Sequence, residues 1–119
     1  MVTSNHIHLL VKDSGGKDTI SKSLQLVAGR TAQEFNQRKH RQGAFWQDRY
    51  HAVAVESGDH FKRCLVYIDM NMVRAGVVDH PSNWIYSGYN EIQKPRRKNI
   101  LIRYDVLMKL SGYSNYHDF

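Results

Sequence analysis

From Asp18 to about Lys39, the residues Ile20, Leu24, Val27, Ala28, Thr31 and Phe35 recur at steps of three and four. That period lays one apolar stripe along a long helix. A helix that is apolar on one side needs a second layer to cover it. Asp18 stands where an N-cap belongs. The helix closes in the basic run Gln37-Arg38-Lys39-His40-Arg41-Gln42 before Gly43, a residue type that often follows a helix end.

The rest of the chain supplies candidate layers. Residues 5–11, Asn-His-Ile-His-Leu-Leu-Val, read as a strand whose far end is buried on both sides. Asp13-Ser14-Gly15-Gly16 is a turn. Residues 44–56 read as one strand or a bent hairpin arm. Phe45, Gln47, Arg49, His51, Val53 and Val55 fall on one face, and Trp46, Asp48, Tyr50, Ala52 and Ala54 on the other. Ser57-Gly58-Asp59 starts a second helix that runs to about Ala75, with Gly76 past its end. Phe61, Cys64, Leu65, Ile68 and Met72 form its stripe. His80-Pro81-Ser82 breaks the chain, and Trp84 to Ile92 reads as a short turn and helix. Lys94-Pro95-Arg96-Arg97-Lys98 is a basic loop, and a last helix from about Tyr104 to Leu110 ends at Gly112. No internal repeat or low-complexity segment is present.

Composition narrows the function classes. A chain of 119 residues suits one domain with one core. With 41% hydrophobic and 24% charged residues it has an ordinary globular balance rather than a disordered one. No apolar run approaches the roughly 18 residues of a membrane span, so no membrane partner is expected. The first residues lack the pattern of a secretory signal, and a cytoplasmic protein is the simple expectation. The single cysteine, Cys64, cannot make an internal disulfide and reads as a buried thiol. A net charge of +6 favours a polyanion such as nucleic acid, although many basic domains bind nothing anionic.

Four groups of residues can carry chemistry. In a strand, His6 and His8 point to the same face, about 6.8 Å apart. Two imidazoles so placed can meet on one metal ion, or they are two polar residues on a solvent face. On the second helix, Tyr67 and Asn71 lie one turn apart at the edge of the apolar stripe, with Arg63 and Arg74 beside them. A phenol, an amide oxygen and two cations suit attack on a phosphodiester. The same pattern is also an ordinary helix boundary where the ring packs and the hydroxyl is wet. Phe45-Trp46-Gln47-Asp48-Arg49-Tyr50 mixes aromatic and basic groups, as a surface for unpaired bases does, and as a core strand beside a sheet edge does. The basic segments 38–41 and 94–98 either track phosphates or are solvated.

These segments, in order, resemble one family. Asn5-His6-Ile7-His8-Leu9-Leu10-Val11 resembles the His-hydrophobic-His strand of HUH nucleases. Tyr67-Ile68-Asp69-Met70-Asn71-Met72-Val73-Arg74-Ala75-Gly76 resembles the catalytic-tyrosine helix of REP-associated tyrosine transposases, single-tyrosine members of the HUH group. Phe45-Trp46-Gln47-Asp48-Arg49-Tyr50-His51 and Trp84-Ile85-Tyr86-Ser87-Gly88-Tyr89 are similar to further segments of that family. The match covers most of residues 4–92.

The resemblance implies an α+β fold: an antiparallel sheet with helices on one face, a ferredoxin-like core at residues 1–93. Residues 94–119 then form a basic loop and short C-terminal helix. It also implies that His6, His8 and Asn71 hold Mg2+ or Mn2+ and that Tyr67 attacks single-stranded DNA, hairpin-forming in this family, to leave a 5′-phosphotyrosine. Arg49, Arg74, Arg63 and Trp46 are the candidate DNA contacts. Two local departures are Thr3-Ser4, where the family has Met-Pro, and Met72, where it has proline. Methionine lets the tyrosine helix run on without a break. Family members also carry an opening strand and helix before the histidine strand, so an N-terminally truncated core is expected, from a truncated gene, a fragment, or a sheet completed by a neighbouring chain. A homodimer with strands paired across its interface follows. The alternatives are an inactive remnant that binds nucleic acid, or a dimerisation module.

Overall fold

A computed structural model of the chain describes residues 1–95 and 101–113, and in these every regular element is helical. Helix α1 spans Thr19–Arg38, α2 Asp59–Asp69, α3 Asn71–Arg74, α4 Tyr89–Gln93 and α5 Tyr104–Ser111, with a 3-10 turn at Pro81–Asn83. Among the described residues, no helix is long and apolar enough to cross a membrane. Arg96, Arg97 and Lys98 of the basic loop lie outside the described residues.

The chain divides into two compact units, residues 11–53 and residues 1–10 with 54–119. The first is α1 and the segment that returns along it. Asp18 precedes the helix as expected, but in a left-handed conformation (φ 60°) and without a side-chain capping bond. After Arg38 the chain reverses through His40 (φ 50°) and Gly43 (φ 91°), held by the Asn36 side-chain amide donating to Gly43 O at 3.0 Å. The return runs along one line of the helix and leaves the stripe residues Val27 and Thr31 exposed. Phe45 meets Phe35 with ring centroids 4.8 Å apart, Trp46 Nε1 donates to Ala28 O at 2.9 Å, and the Tyr50 hydroxyl donates to Ser21 Oγ at 3.3 Å. Contacts at 35, then 28, then 21 mark an antiparallel course.

The second unit has its core at Phe61 of α2, Ile92 of α4 and Leu107 of α5. Leu10, Val55, Leu65, Ile102, Tyr104, Met108 and Leu110 pack around it. Backbone and side-chain bonds tie these helices together. Gly58 N–H donates to Leu110 O (3.0 Å), the Tyr104 hydroxyl to Glu91 O (2.7 Å), and Leu101 and Ile102 N–H to Glu91 Oε1 (both 3.2 Å). Leu107 is 7% exposed, and Leu107→Ala is expected to cost about 2–5 kcal/mol of stability. Leu26 on α1 is 63% exposed, and Leu26→Ala should stay within about 0.5 kcal/mol. Urea midpoints of the two variants test this ordering.

The expected antiparallel sheet and ferredoxin-like core are absent from the described residues, which contain no strand. Among the described residues the one β-type contact is an isolated antiparallel bridge between Val2 and Ile7. A strand exists only where its backbone finds a partner ladder. Residues 6–8 pair with Met1–Thr3, an arm too short for a stable ribbon. Residues 44–53 direct their aromatic side chains onto α1 instead of into a sheet. The expected unbroken tyrosine helix is also corrected. Met70 (φ −83°, ψ 0°) separates α2 from α3. Helix α3 then ends at Gly76 (φ 68°), where Gly76 N–H reaches Val73 O and Val77 N–H reaches Met72 O, a Schellman closure.

Candidate active site

The histidine arm is held by its own backbone. Thr3 N–H donates to His6 O (2.9 Å), His6 N–H to Thr3 Oγ1 (2.9 Å) and His8 N–H to Met1 O (3.0 Å). Two residues from the distant Trp84–Tyr86 segment brace it. Val2 N–H donates to Tyr86 O (2.8 Å), and Trp84 Nε1 donates to Val2 O (2.9 Å).

On this extended arm His6 and His8 share a face. Their ring centroids are 6.3 Å apart and their planes 4° from parallel. His6 Nδ1 donates to Asn5 Oδ1 at 2.7 Å, which leaves Nε2 as the nitrogen with a free lone pair. Parallel rings direct their in-plane lone pairs side by side, so meeting on one ion requires both to turn. His6 is exposed and His8 half-buried, so neither is locked by packing. Among the described residues, no group of three or more His, Cys, Asp or Glu is placed to hold a metal. An ion at the two imidazoles would therefore complete its shell with amide, phosphate or water oxygens, a donor set that suits Mn2+ or Mg2+.

Tyr67 comes to this arm from α2. Its ring and that of His8 form a T-shaped pair, with centroids 6.1 Å apart and planes at 88°. Arg74 reaches back from α3, and its guanidinium carbon lies 5.3 Å from the centre of the Tyr67 ring. Side chains on a helix lean toward its N-terminus, so a residue two turns on can cover an earlier one. Tyr67 is 49% exposed. The structure thus brings His6, His8, Tyr67 and Arg74 together.

The remaining candidates are placed differently. Asn71 opens α3 one turn after Tyr67, half-buried, with no side-chain hydrogen bond among the described residues. Arg63 is exposed on α2, one turn before Tyr67. Arg49 and Trp46 belong to the unit of residues 11–53. There Arg49 is exposed, and the Trp46 indole N–H is committed to Ala28 O. Cys64 is half-buried.

Three residues at the site were not singled out from the sequence. Asn5 orients His6, and its adjacency to the histidine was the available signal. Trp84 braces the arm through a contact that no local pattern reveals. Asp69 sits two residues after Tyr67, and burial raises its carboxyl to about 6, only partly offset by the Met1 ammonium. Burial likewise lowers the Met1 ammonium. An Asp69 raised in the folded state binds its proton more tightly there than in the unfolded chain. Its contribution to stability is therefore full below about pH 4 and is lost as pH rises through about 6. The loss is on the order of 2–3 kcal/mol. Asp69→Asn should remove this slope from urea midpoints between those pH values, and an unchanged slope would refute the assignment.

A family model described as transposase IS200 like matches residues 1–71, more than half of the chain. No curated protein and no solved structure matches it.

Proposed function

The chain belongs to the IS200-like transposase family, and from that premise we propose that it cuts and rejoins single-stranded DNA through a covalent link to Tyr67. The observation that carries this reading is the contact of one half-exposed phenol with a histidine of the paired arm and a guanidinium of α3. The Tyr67 oxygen attacks the scissile phosphorus, and the bond from phosphorus to the 3′-oxygen breaks. The phenolic proton passes to water, and the departing 3′-oxygen takes up a proton. A 5′-phosphotyrosine and a free 3′-hydroxyl remain. Attack by another strand's 3′-hydroxyl reverses the step, so no external energy source is needed. Held by His6, His8 and Asn71, Mg2+ or Mn2+ would supply electrophilic polarisation of the phosphate. On α2, Arg63 offers charge to the DNA backbone; in the unit of residues 11–53, Arg49 offers charge and Trp46 a ring to its bases.

The deciding experiment incubates the chain with hairpin-containing single-stranded DNA and Mn2+. The expected product is a denaturation-resistant protein–DNA adduct with a free 3′-hydroxyl on the released strand. A second reading is a remnant that binds nucleic acid, or a dimerisation module, without cutting. It is favoured by the parallel imidazole planes, which as they stand do not converge. DNA binding without an adduct across many hairpins, with Mn2+ bound, would select it.

A homodimer is part of the same proposal. The histidine arm leaves Val2, Ile7 and Leu9 exposed, and a second copy can cover these side chains. Light scattering at micromolar concentration should give twice the chain mass. A stable monomer there would count against pairing.

A further inference from the structure

We propose that Arg74 is a positioning residue for Tyr67, holding the phenol ring by its face while His8 meets the ring at a right angle. This rests on the reading of Tyr67 as the nucleophile. The Tyr67 hydroxyl makes no hydrogen bond among the described residues, so nothing holds this side chain by its oxygen. What holds the ring is His8 at 6.1 Å and 88° on one side and the Arg74 guanidinium at 5.3 Å on another. A ring fixed in this way keeps its oxygen free to react, whereas a hydroxyl anchor would occupy it.

The backbone around Arg74 is set for the task. The turn at Met70 starts α3 afresh, and the Schellman closure at Gly76 ends it two residues after Arg74. The arginine is exposed and pairs with no carboxylate: the ion pairs among the described residues are Lys62–Asp59 and Arg103–Asp105. Its charge is therefore available to the ring, whose π face attracts a cation. Cleavage forms the bond from the Tyr67 oxygen to phosphorus, and rejoining breaks it and returns the electron pair to that oxygen. A cation lying over the ring favours the charge on the oxygen in both directions, so both steps should feel its loss. A role confined to phosphate contact predicts something else, weaker DNA binding with a smaller salt dependence.

The test compares wild type, Arg74→Met and Arg74→Lys with hairpin-containing single-stranded DNA and Mn2+. In Arg74→Met, the single-turnover rate of adduct formation at saturating DNA should fall by about tenfold. DNA affinity and its salt slope should stay within about twofold of wild type, because a positioning residue acts after binding. Arg74→Lys should recover part of the rate, since an ammonium still attracts the ring but lacks the flat guanidinium. A second readout needs no DNA: the ring signals of 13C-labelled tyrosine in the free protein, with Tyr67 assigned by its loss in Tyr67→Phe. That signal should shift in Arg74→Met and less in Arg74→Lys. An unmoved Tyr67 signal overturns the proposal, as does an unchanged saturating rate with weakened binding and a salt slope reduced by about one. If wild type forms no adduct, the nucleophile reading fails separately, and the tyrosine signal still decides whether Arg74 holds the ring.

Discussion

Tyr67→Phe is expected to abolish the covalent protein–DNA adduct, by at least about a thousandfold in initial rate, while leaving fold and DNA binding in place. The substitution removes one oxygen and nothing else. The ring keeps its T-shaped contact with His8 and its face under Arg74. No hydrogen bond among the described residues is lost with the hydroxyl, so the urea midpoint should move by no more than about 0.5 kcal/mol of stability. Binding of the hairpin, measured by anisotropy, should change less than twofold. The sharpest control lies in the other tyrosines, of which the chain has seven in all. Tyr50 and Tyr86 are also exposed, but neither contacts a histidine pair. If peptide mapping places the DNA on Tyr50 or Tyr86, or the adduct survives in Tyr67→Phe, the assignment is wrong.

The second large effect concerns the paired imidazoles. His6→Ala should remove Mn2+ binding, followed by the electron paramagnetic resonance of the free ion, and lower adduct formation by roughly a hundredfold or more. His8→Ala should do the same and also loosen Tyr67, because His8 makes a T-shaped contact with its ring. The double variant should be little worse than either single one, since two ligands of one ion act as a unit. Asn5→Ala offers a graded version. It frees His6 Nδ1 from its acceptor, so Mn2+ affinity should weaken by about tenfold with the imidazole still present. Mn2+ affinity unchanged in the double variant would place any ion elsewhere and leave the two histidines as surface groups on a short arm.

The candidate site was legible from the sequence to the extent that local geometry governs it. Two residues apart on an extended backbone share a face, and His6 and His8 do so here although no sheet surrounds them. Residues at helical spacing share a flank, which is how Arg74 could be grouped with Tyr67 before any contact was known. The long helix over residues 18–39 and the last helix ending at Gly112 were likewise readable from period and punctuation. The sheet was not. Alternation over 44–56 said that side chains divide between two faces, but not what those faces meet. In the fold, Phe45, Trp46 and Tyr50 meet a helix. The break at Met70 was hidden for a related reason. Methionine is a good helix former, and nothing local in Met70-Asn71-Met72 announces a turn.

By itself, then, the sequence determined which residues local geometry can bring side by side: the two histidines on one extended arm, Tyr67 with Arg63 on α2, and the glycine ends of the helices. Such pairings follow from backbone periods of two and 3.6 residues, which need no partner. The tertiary structure alone decided which elements meet. It set the histidine arm against α2, braced that arm with Trp84 and Tyr86, separated α3 from α2 at Met70, and laid Arg74 over the Tyr67 ring. It also left the expected strands without a ladder. The physical reason is that a ladder and a ring contact each need two partners distant in sequence, and whether they find each other depends on how the whole chain packs.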